Sequence, residues 1–269
     1  MVITSTDNKV FKDLKALTTK KGRREQGLCI IEGEKAIFEN LGIVEQVFVR
    51  EDKEITPNLR DMEPTVLSKK LFEQITDLET CPGILATAEI PTNYVGEAIC
   101  LPHEEHPLGM TISDNGKQVA SPTIVTPFLV LDRIQDPGNM GTILRTAAAF
   151  NYKTIYVIDC VDVWSQKVLR AGMGNQFRLN VIETSHTGLA EQISDAKLFV
   201  ADMGGESYCV DLEDFNYGIV LGNEGQGVST EIKKLPHSIL SIPMENGVES
   251  LNVAVAGAIL MFTLKKGVF

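Results

Sequence analysis

From residue 128 to its end, the chain alternates short apolar runs with longer segments of helical spacing. The runs fall at 128–131, 154–158, 178–182, 198–201, 218–221 and 238–242. They are mostly continuous in apolar residues and do not alternate with polar ones. A strand with one wet face alternates; a strand covered by helices on both faces has no reason to. The pattern predicts an α/β fold: an open, mostly parallel sheet with helices on both sides, spanning 128–269.

A smaller alternating pattern precedes it. Residues 7–19 have helical spacing, with Val10, Phe11, Leu14 and Leu17 on one side. Strand candidates follow at 28–31, 44–49 and 84–90, and helix candidates at 34–40 and 68–76. This predicts a small α/β domain over 1–91. Residues 92–127 break both patterns with Pro102, Pro107, Pro122, Pro127 and the turn signal Asn115-Gly116. They are expected to form a linker or insertion, with a hairpin turn at Asn115-Gly116.

Composition narrows the function classes. The net charge of −11 argues against a generic nucleic-acid binder. The basic residues are nevertheless uneven: Lys9, Lys12, Lys15, Lys20, Lys21, Arg23 and Arg24 lie close together with Asp13 the one acid among the first of them. Such a stripe is either a solvated helix face or an anion-docking surface. Five scattered cysteines, with no C-x-x-C pair, read as reduced thiols of a cytoplasmic protein. No charged-then-apolar leader opens the chain, and the apolar segment 251–264 is too short to span a bilayer.

Three polar, glycine-containing blocks each follow an apolar run. The first is Asp136-Pro-Gly-Asn139-Met-Gly141-Thr-Ile-Leu-Arg145. The second is Leu221-Gly222-Asn-Glu224-Gly-Gln-Gly227. The third runs from Ile242-Pro-Met244 to Ser250-Leu251-Asn252-Val253. In α/β folds the loops at the carboxyl ends of strands are where ligands bind. Ser250 stands where a helix cap is expected. Together, in this order and spacing, the blocks resemble the signatures of the SpoU/TrmH family of RNA ribose 2′-O-methyltransferases, of the SPOUT class.

The resemblance implies methyl transfer from S-adenosyl-L-methionine to a ribose 2′-hydroxyl of RNA, ribosomal RNA first among the candidates. It implies a homodimer, a trefoil knot at the C-terminus and an RNA substrate-binding domain in the N-terminal position. It assigns Asn139, Arg145, Glu224, Ser250 and Asn252 to catalysis. Leu221, Gly222, Ile242, Met244 and Leu251 would line the cofactor pocket. Lys20, Lys21, Arg23, Arg24 and Arg145 would meet RNA. A guanidinium forks onto phosphate but almost never gives up a proton. Arg145 is therefore expected to position phosphate and stabilise alkoxide, with the proton leaving through a neighbour or water.

Two positions depart from the family pattern: Gly172 and Ala254 stand where serines are expected. Lys167 and Arg170 read either as phosphate contacts or as a solvated face. His103-Glu-Glu-His106 is flanked by prolines and is not an H-E-x-x-H zinc motif, so no metal is expected. The alternatives are a transfer RNA 2′-O-methyltransferase, a non-catalytic RNA-binding or assembly factor of the same fold, and a Rossmann oxidoreductase. The glycines of 222–227 have the wrong order for a dinucleotide fingerprint.

Overall fold

The computed structural model describes residues 2–78, 81–91, 127–193, 196–207, 216–245 and 249–264. Of the linker or insertion expected over 92–127, residues 92–126 lie outside the described residues, and so do its expected hairpin and the His103–His106 pair.

The N-terminal part is a five-stranded mixed sheet. Its strands are β1 (Val2–Ile3), β2 (Leu28–Glu32), β3 (Val44–Arg50), β4 (Thr65–Leu67) and β5 (Ile84–Glu89), in the order β1-β4-β3-β5-β2. Helix α1 (Lys9–Ala16) packs Phe11 and Leu14 into the core, with Leu17 just beyond it. Asn8 caps it by accepting from the N–H groups of Val10 and Phe11. The helix expected over 7–19 stops at Ala16, and the basic residues that follow form a separate helix, α2 (Lys20–Gln26). Thr19 caps α2, and Gly27 ends it in the left-handed region. The remaining short helices are α3 (Glu34–Glu39), α4 (Pro57–Arg60) and α5 (Lys69–Phe72). The helix expected over 68–76 is thus a single turn.

The C-terminal part is a six-stranded, wholly parallel sheet. It comprises β6 (Phe128–Asp132), β7 (Thr154–Ile158), β8 (Asn180–Glu183), β9 (Lys197–Ser207), β10 (Tyr217–Leu221) and β11 (His237–Ser241), in the order β11-β9-β10-β6-β7-β8. Every residue of β6 and β10 is buried, as continuous apolar runs require. The strand expected over 178–182 begins two residues later, because Asn175–Arg178 close a 3-10 turn. Helices α6 (Pro137–Ala149), α7 (Gln166–Gly172), α8 (His186–Gln192), α9 (Thr230–Lys233) and α10 (Val253–Leu264) connect or cover the strands. Helix α6 packs against α7 and α10. At Gly141 a Cβ would sit 2.5 Å from the Ala171 methyl, so a larger residue would push α6 and α7 apart. The space a side chain on Gly172 would need is filled by the buried Gln176 amide, whose Oε1 lies 2.6 Å from the Cβ position. The missing serine is therefore accommodated by a neighbour.

The two sheets share an apolar cluster that runs from Cys29, Ile31 and Ile37 to Leu129, Trp164 and Leu169. Its rim is ionic, and it uses much of the basic stripe. Arg23, 5% exposed, donates from Nε to Asp162 Oδ2 at 2.9 Å, also from Nη2 to the same oxygen, and from Nη1 to the Leu17 carbonyl. Lys20 and Arg24 both reach Glu183, at 3.1 and 2.5 Å. In return Arg170 pairs with Glu32 and Asp77, and Lys167 lies 3.6 Å from Asp77. Arg23 therefore serves domain docking. Burial removes it from the expected RNA surface, because it cannot reach a phosphate without leaving Asp162 uncompensated. Lys20 and Arg24 are partly engaged in the same seam. Lys21 is exposed and pairs loosely with Glu25 at 3.7 Å.

Candidate active site

The three glycine-containing blocks converge at the carboxyl ends of β6 and β10 and at the start of α10. Each local conformation has a local cause. Asp136 caps α6, its Oδ1 accepting from the Asn139 N–H at 2.7 Å, and Pro137 occupies the first helical position, where no N–H is needed. Asn139 is thereby fixed in the first turn of α6, its side chain aimed at the second block. Beyond β10 the chain doubles back, with Asn223 and Gly227 exchanging backbone hydrogen bonds at 3.1 and 2.9 Å. Gly222 makes this reversal possible: a Cβ there would lie 2.4 Å from Gly227 C and Val228 N. Gly222→Ala is expected to cost about 1–3 kcal/mol through overpacking. Chemical denaturation would measure it, and an unchanged midpoint would mean that the loop yields freely.

Two amides tie the blocks together. Asn139 Nδ2 donates to Glu224 Oε1 at 3.1 Å, and Asn139 Oδ1 accepts from Asn252 Nδ2 at 2.8 Å. Asn252 Oδ1 in turn accepts from the N–H groups of Ala254 and Val255, at 2.9 and 3.3 Å. Asn252 is therefore the cap of α10, in place of Ser250. An Asn oxygen lies in the right place for the N–H groups two and three residues on. The network also orients both amides, since each uses its oxygen and nitrogen on different partners.

Glu224 carries the charge of this cluster. The backbone N–H groups of Asp136 and Gln135 also approach it, at 3.3 and 3.5 Å. Partial burial pushes its carboxyl up, but the hydrogen bonds from Asn139, Asp136 and Gln135 outweigh that and hold it below the ordinary carboxylate value. A lowered value in the folded state stabilises the loop above the ordinary carboxylate range, and that stability is lost as pH falls through the lowered value. No arginine pairs with Glu224 among the described residues.

Arg145 stands apart, six residues further along α6, about 9 Å at helical rise. Its side chain is exposed and makes no ion pair among the described residues. Thr142 and Ala149, exposed on the same face, leave the surface around it open. Ser250 is exposed beside the cluster. Of the residues expected to catalyse, the fold brings Asn139, Glu224 and Asn252 into contact and leaves Arg145 and Ser250 facing outward. Sequence reasoning missed Asp136, which the signal of an acid before Pro-Gly at a helix start could have revealed. It also missed Asn223, whose Oδ1 accepts from the N–H groups of Gly225 and Gln226.

The residues expected around a cofactor carry no fixed charge. Leu221 and Gly222 are buried, Ile242 and Met244 half-buried, and Leu251 is 36% exposed. Apolar walls and backbone groups suit a neutral adenine. The ionised Glu224 of the neighbouring loop leaves the surroundings compatible with a cationic sulfonium. On donor chemistry, these residues fit S-adenosylmethionine.

Comparison with known proteins shows the family. Residues 126–262 match the model of the SpoU rRNA Methylase family, and residues 8–86 match the MRM3-like substrate binding domain. The chain is 29% identical to the 23S rRNA (guanosine(2553)-2′-O)-methyltransferase RlmP of Bacillus subtilis, over 98% of each chain. A solved RNA 2′-O ribose methyltransferase superposes with a TM-score of 0.72 at 26% identity, covering 98% of this chain and 97% of the other. The fold is shared as well with an AdoMet-bound rRNA methyltransferase from Sinorhizobium meliloti, with a TM-score of 0.74 at 22% identity, covering 98% of this chain and 96% of that one.

Proposed function

Because the chain belongs to the SpoU rRNA methylase family, we propose that it transfers a methyl group from S-adenosylmethionine to a ribose 2′-hydroxyl of ribosomal RNA. The Asn252–Asn139–Glu224 chain carries this reading, since it joins all three blocks through hydrogen bonds at 2.8 and 3.1 Å. The bound cofactor supplies an already activated methyl group. The protein has to hold the hydroxyl in line and ease the loss of its proton.

Arg145, exposed and unpaired among the described residues, holds the phosphate beside the target ribose and stabilises the developing alkoxide. Asn139 and Asn252 set the amide groups that orient the ribose. Glu224, held ionised by its donors, is a weak base and contributes negative charge; the proton leaves through water. Ser250 adds a hydroxyl at the same edge. Leu221, Gly222, Ile242, Met244 and Leu251 enclose the adenine and methionine portions.

The N-terminal region, 1–91 in this reading, presents RNA to this site. The match of 8–86 to a substrate-binding domain supports this. Lys9, Lys12 and Lys15 on α1, with Lys21, are the exposed cations of that region best placed to meet phosphate. We read the active form as a cytoplasmic homodimer with a knotted C-terminus. The exposed Val255 and Phe262, 49% and 51% on the otherwise apolar α10, support a subunit contact there. Among the described residues no helix is long and apolar enough to cross a membrane.

The test is transfer of labelled methyl to total RNA from cells lacking the protein, followed by mapping of ribose methylation. Label at one 2′-hydroxyl of ribosomal RNA is the expected result. Label confined to transfer RNA would move the substrate. Absence of both label and cofactor binding would leave a non-catalytic RNA-binding factor.

A further inference from the structure

Beside the three blocks lies a buried polar cluster that the proposed reaction does not use. Asp132, the last residue of β6, is fully buried. Its Oδ2 accepts from the Ser229 N–H at 2.6 Å, and its Oδ1 lies 3.4 Å from His186 Nε2. The same Nε2 is 3.1 Å from Ser229 Oγ. Arg133 Nε lies 3.6 Å from the same Oδ1. A buried carboxylate needs donors on both oxygens, and His186 supplies one to Oδ1 when Nε2 carries its proton. His186 opens α8, and Ser229 is where the 222–229 loop ends and α9 begins. The adjoining Arg133 grips the same loop from the other side. Its Nη1 donates to Gln226 Oε1 at 3.1 Å, its Nη2 to the Gly227 carbonyl at 3.2 Å, and its own carbonyl accepts from Asn223 Nδ2 at 2.9 Å. Arg133 has φ +60°, a left-handed conformation costly for a residue with a side chain. The strain is the local cost of aiming Asp132 inward and Arg133 at the loop.

We propose that Asp132 and His186 are positioning residues: they anchor the exit of the 222–229 loop and thereby set affinity for S-adenosylmethionine. The second half rests on the functional reading above. Neither side chain touches the reacting groups. They act through Ser229, which fixes the end of the loop whose start, Leu221-Gly222, would border the cofactor. Without the anchor, the loop keeps its Asn223–Gly227 pair, its contacts to Arg133 and the Asn139–Glu224 bond, but its exit at Ser229 loses the tie to β6.

Two measurements on the full chain decide it. The first is hydrogen–deuterium exchange of the amides at 225–229. The second is S-adenosylmethionine affinity by calorimetry. His186→Leu removes the donor while keeping bulk; His186→Gln keeps an N–H donor. In His186→Leu, exchange at 225–229 is expected to rise about tenfold and cofactor affinity to fall about tenfold, the scale of one hydrogen bond to a charged group. Exchange in the N-terminal sheet should not change, and His186→Gln should restore most of both effects. Unchanged exchange and affinity in a folded His186→Leu chain would overturn the proposal. So would faster exchange spread evenly over both sheets, which is the mark of a merely structural role. A wild-type chain that binds no S-adenosylmethionine would overturn the functional reading and the affinity half with it, while the exchange result judges the anchor separately.

Discussion

Arg145→Ala is expected to lower methyl transfer by about a hundredfold to a thousandfold, the loss typical of removing one donor that meets transition-state charge. Affinity for S-adenosylmethionine should stay within about twofold. The separation follows from geometry. Arg145 lies on the exposed face of α6, while the Asn139–Glu224–Asn252 cluster makes its contacts without it. Nothing around the cofactor residues depends on the guanidinium for its shape. Arg145→Lys should recover little, because an ammonium carries the charge without the planar fork. Single-turnover transfer at saturating cofactor, with calorimetric binding alongside, makes the measurement. Full activity in Arg145→Ala would remove this residue from the mechanism.

The second large effect lies far from the chemistry. Arg23→Ala should destabilise the chain by about 3–5 kcal/mol, the usual cost of stranding one partner of a buried ion pair. Arg23 and Asp162 side chains are 6% and 11% exposed, so water cannot replace the lost partner. Urea unfolding would report it, and a loss below about 1 kcal/mol would show that water enters the seam. Replacing both partners, Arg23→Met with Asp162→Leu, should recover much of the loss, since matched apolar groups remove the stranded charge. Lys21→Ala, on the same helix but exposed, should leave stability unchanged within about 0.5 kcal/mol. A four-residue alanine block over Lys20, Lys21, Arg23 and Arg24 would therefore confuse RNA contact with domain docking. Single changes at Lys9, Lys12 and Lys15 test the RNA surface without touching the seam, since the partners of Lys12 and Lys15, Asp7 and Gln74, lie outside it.

Much of the catalytic sheet was legible because its strands have both faces covered. Such strands appear as apolar runs whatever their order, and those at 128–131 and 218–221 were placed within a residue or two of β6 and β10. Boundaries set by hydrogen bonds between residues close in sequence were harder. The helix expected over 7–19 breaks where Thr19 caps a new helix, and the strand expected from 178 yields to a 3-10 turn. The cap of α10 was misplaced by two residues because serine and asparagine are both good caps, and geometry alone decides between them.

The sequence by itself determined the parallel α/β architecture and marked Asn139, Glu224 and Asn252. Apolar runs and polar, glycine-containing turns are local signals, written within a few residues of where they act. Only the tertiary structure decided that Asn139 bridges the other two and that Asp132, His186 and Ser229 meet beside them. The same is true of the basic run after Thr19, which splits between a buried seam and open water. Charge in a sequence has a sign but no partner. Whether a cation meets phosphate, water or a carboxylate more than a hundred residues away depends on which surfaces the fold brings together.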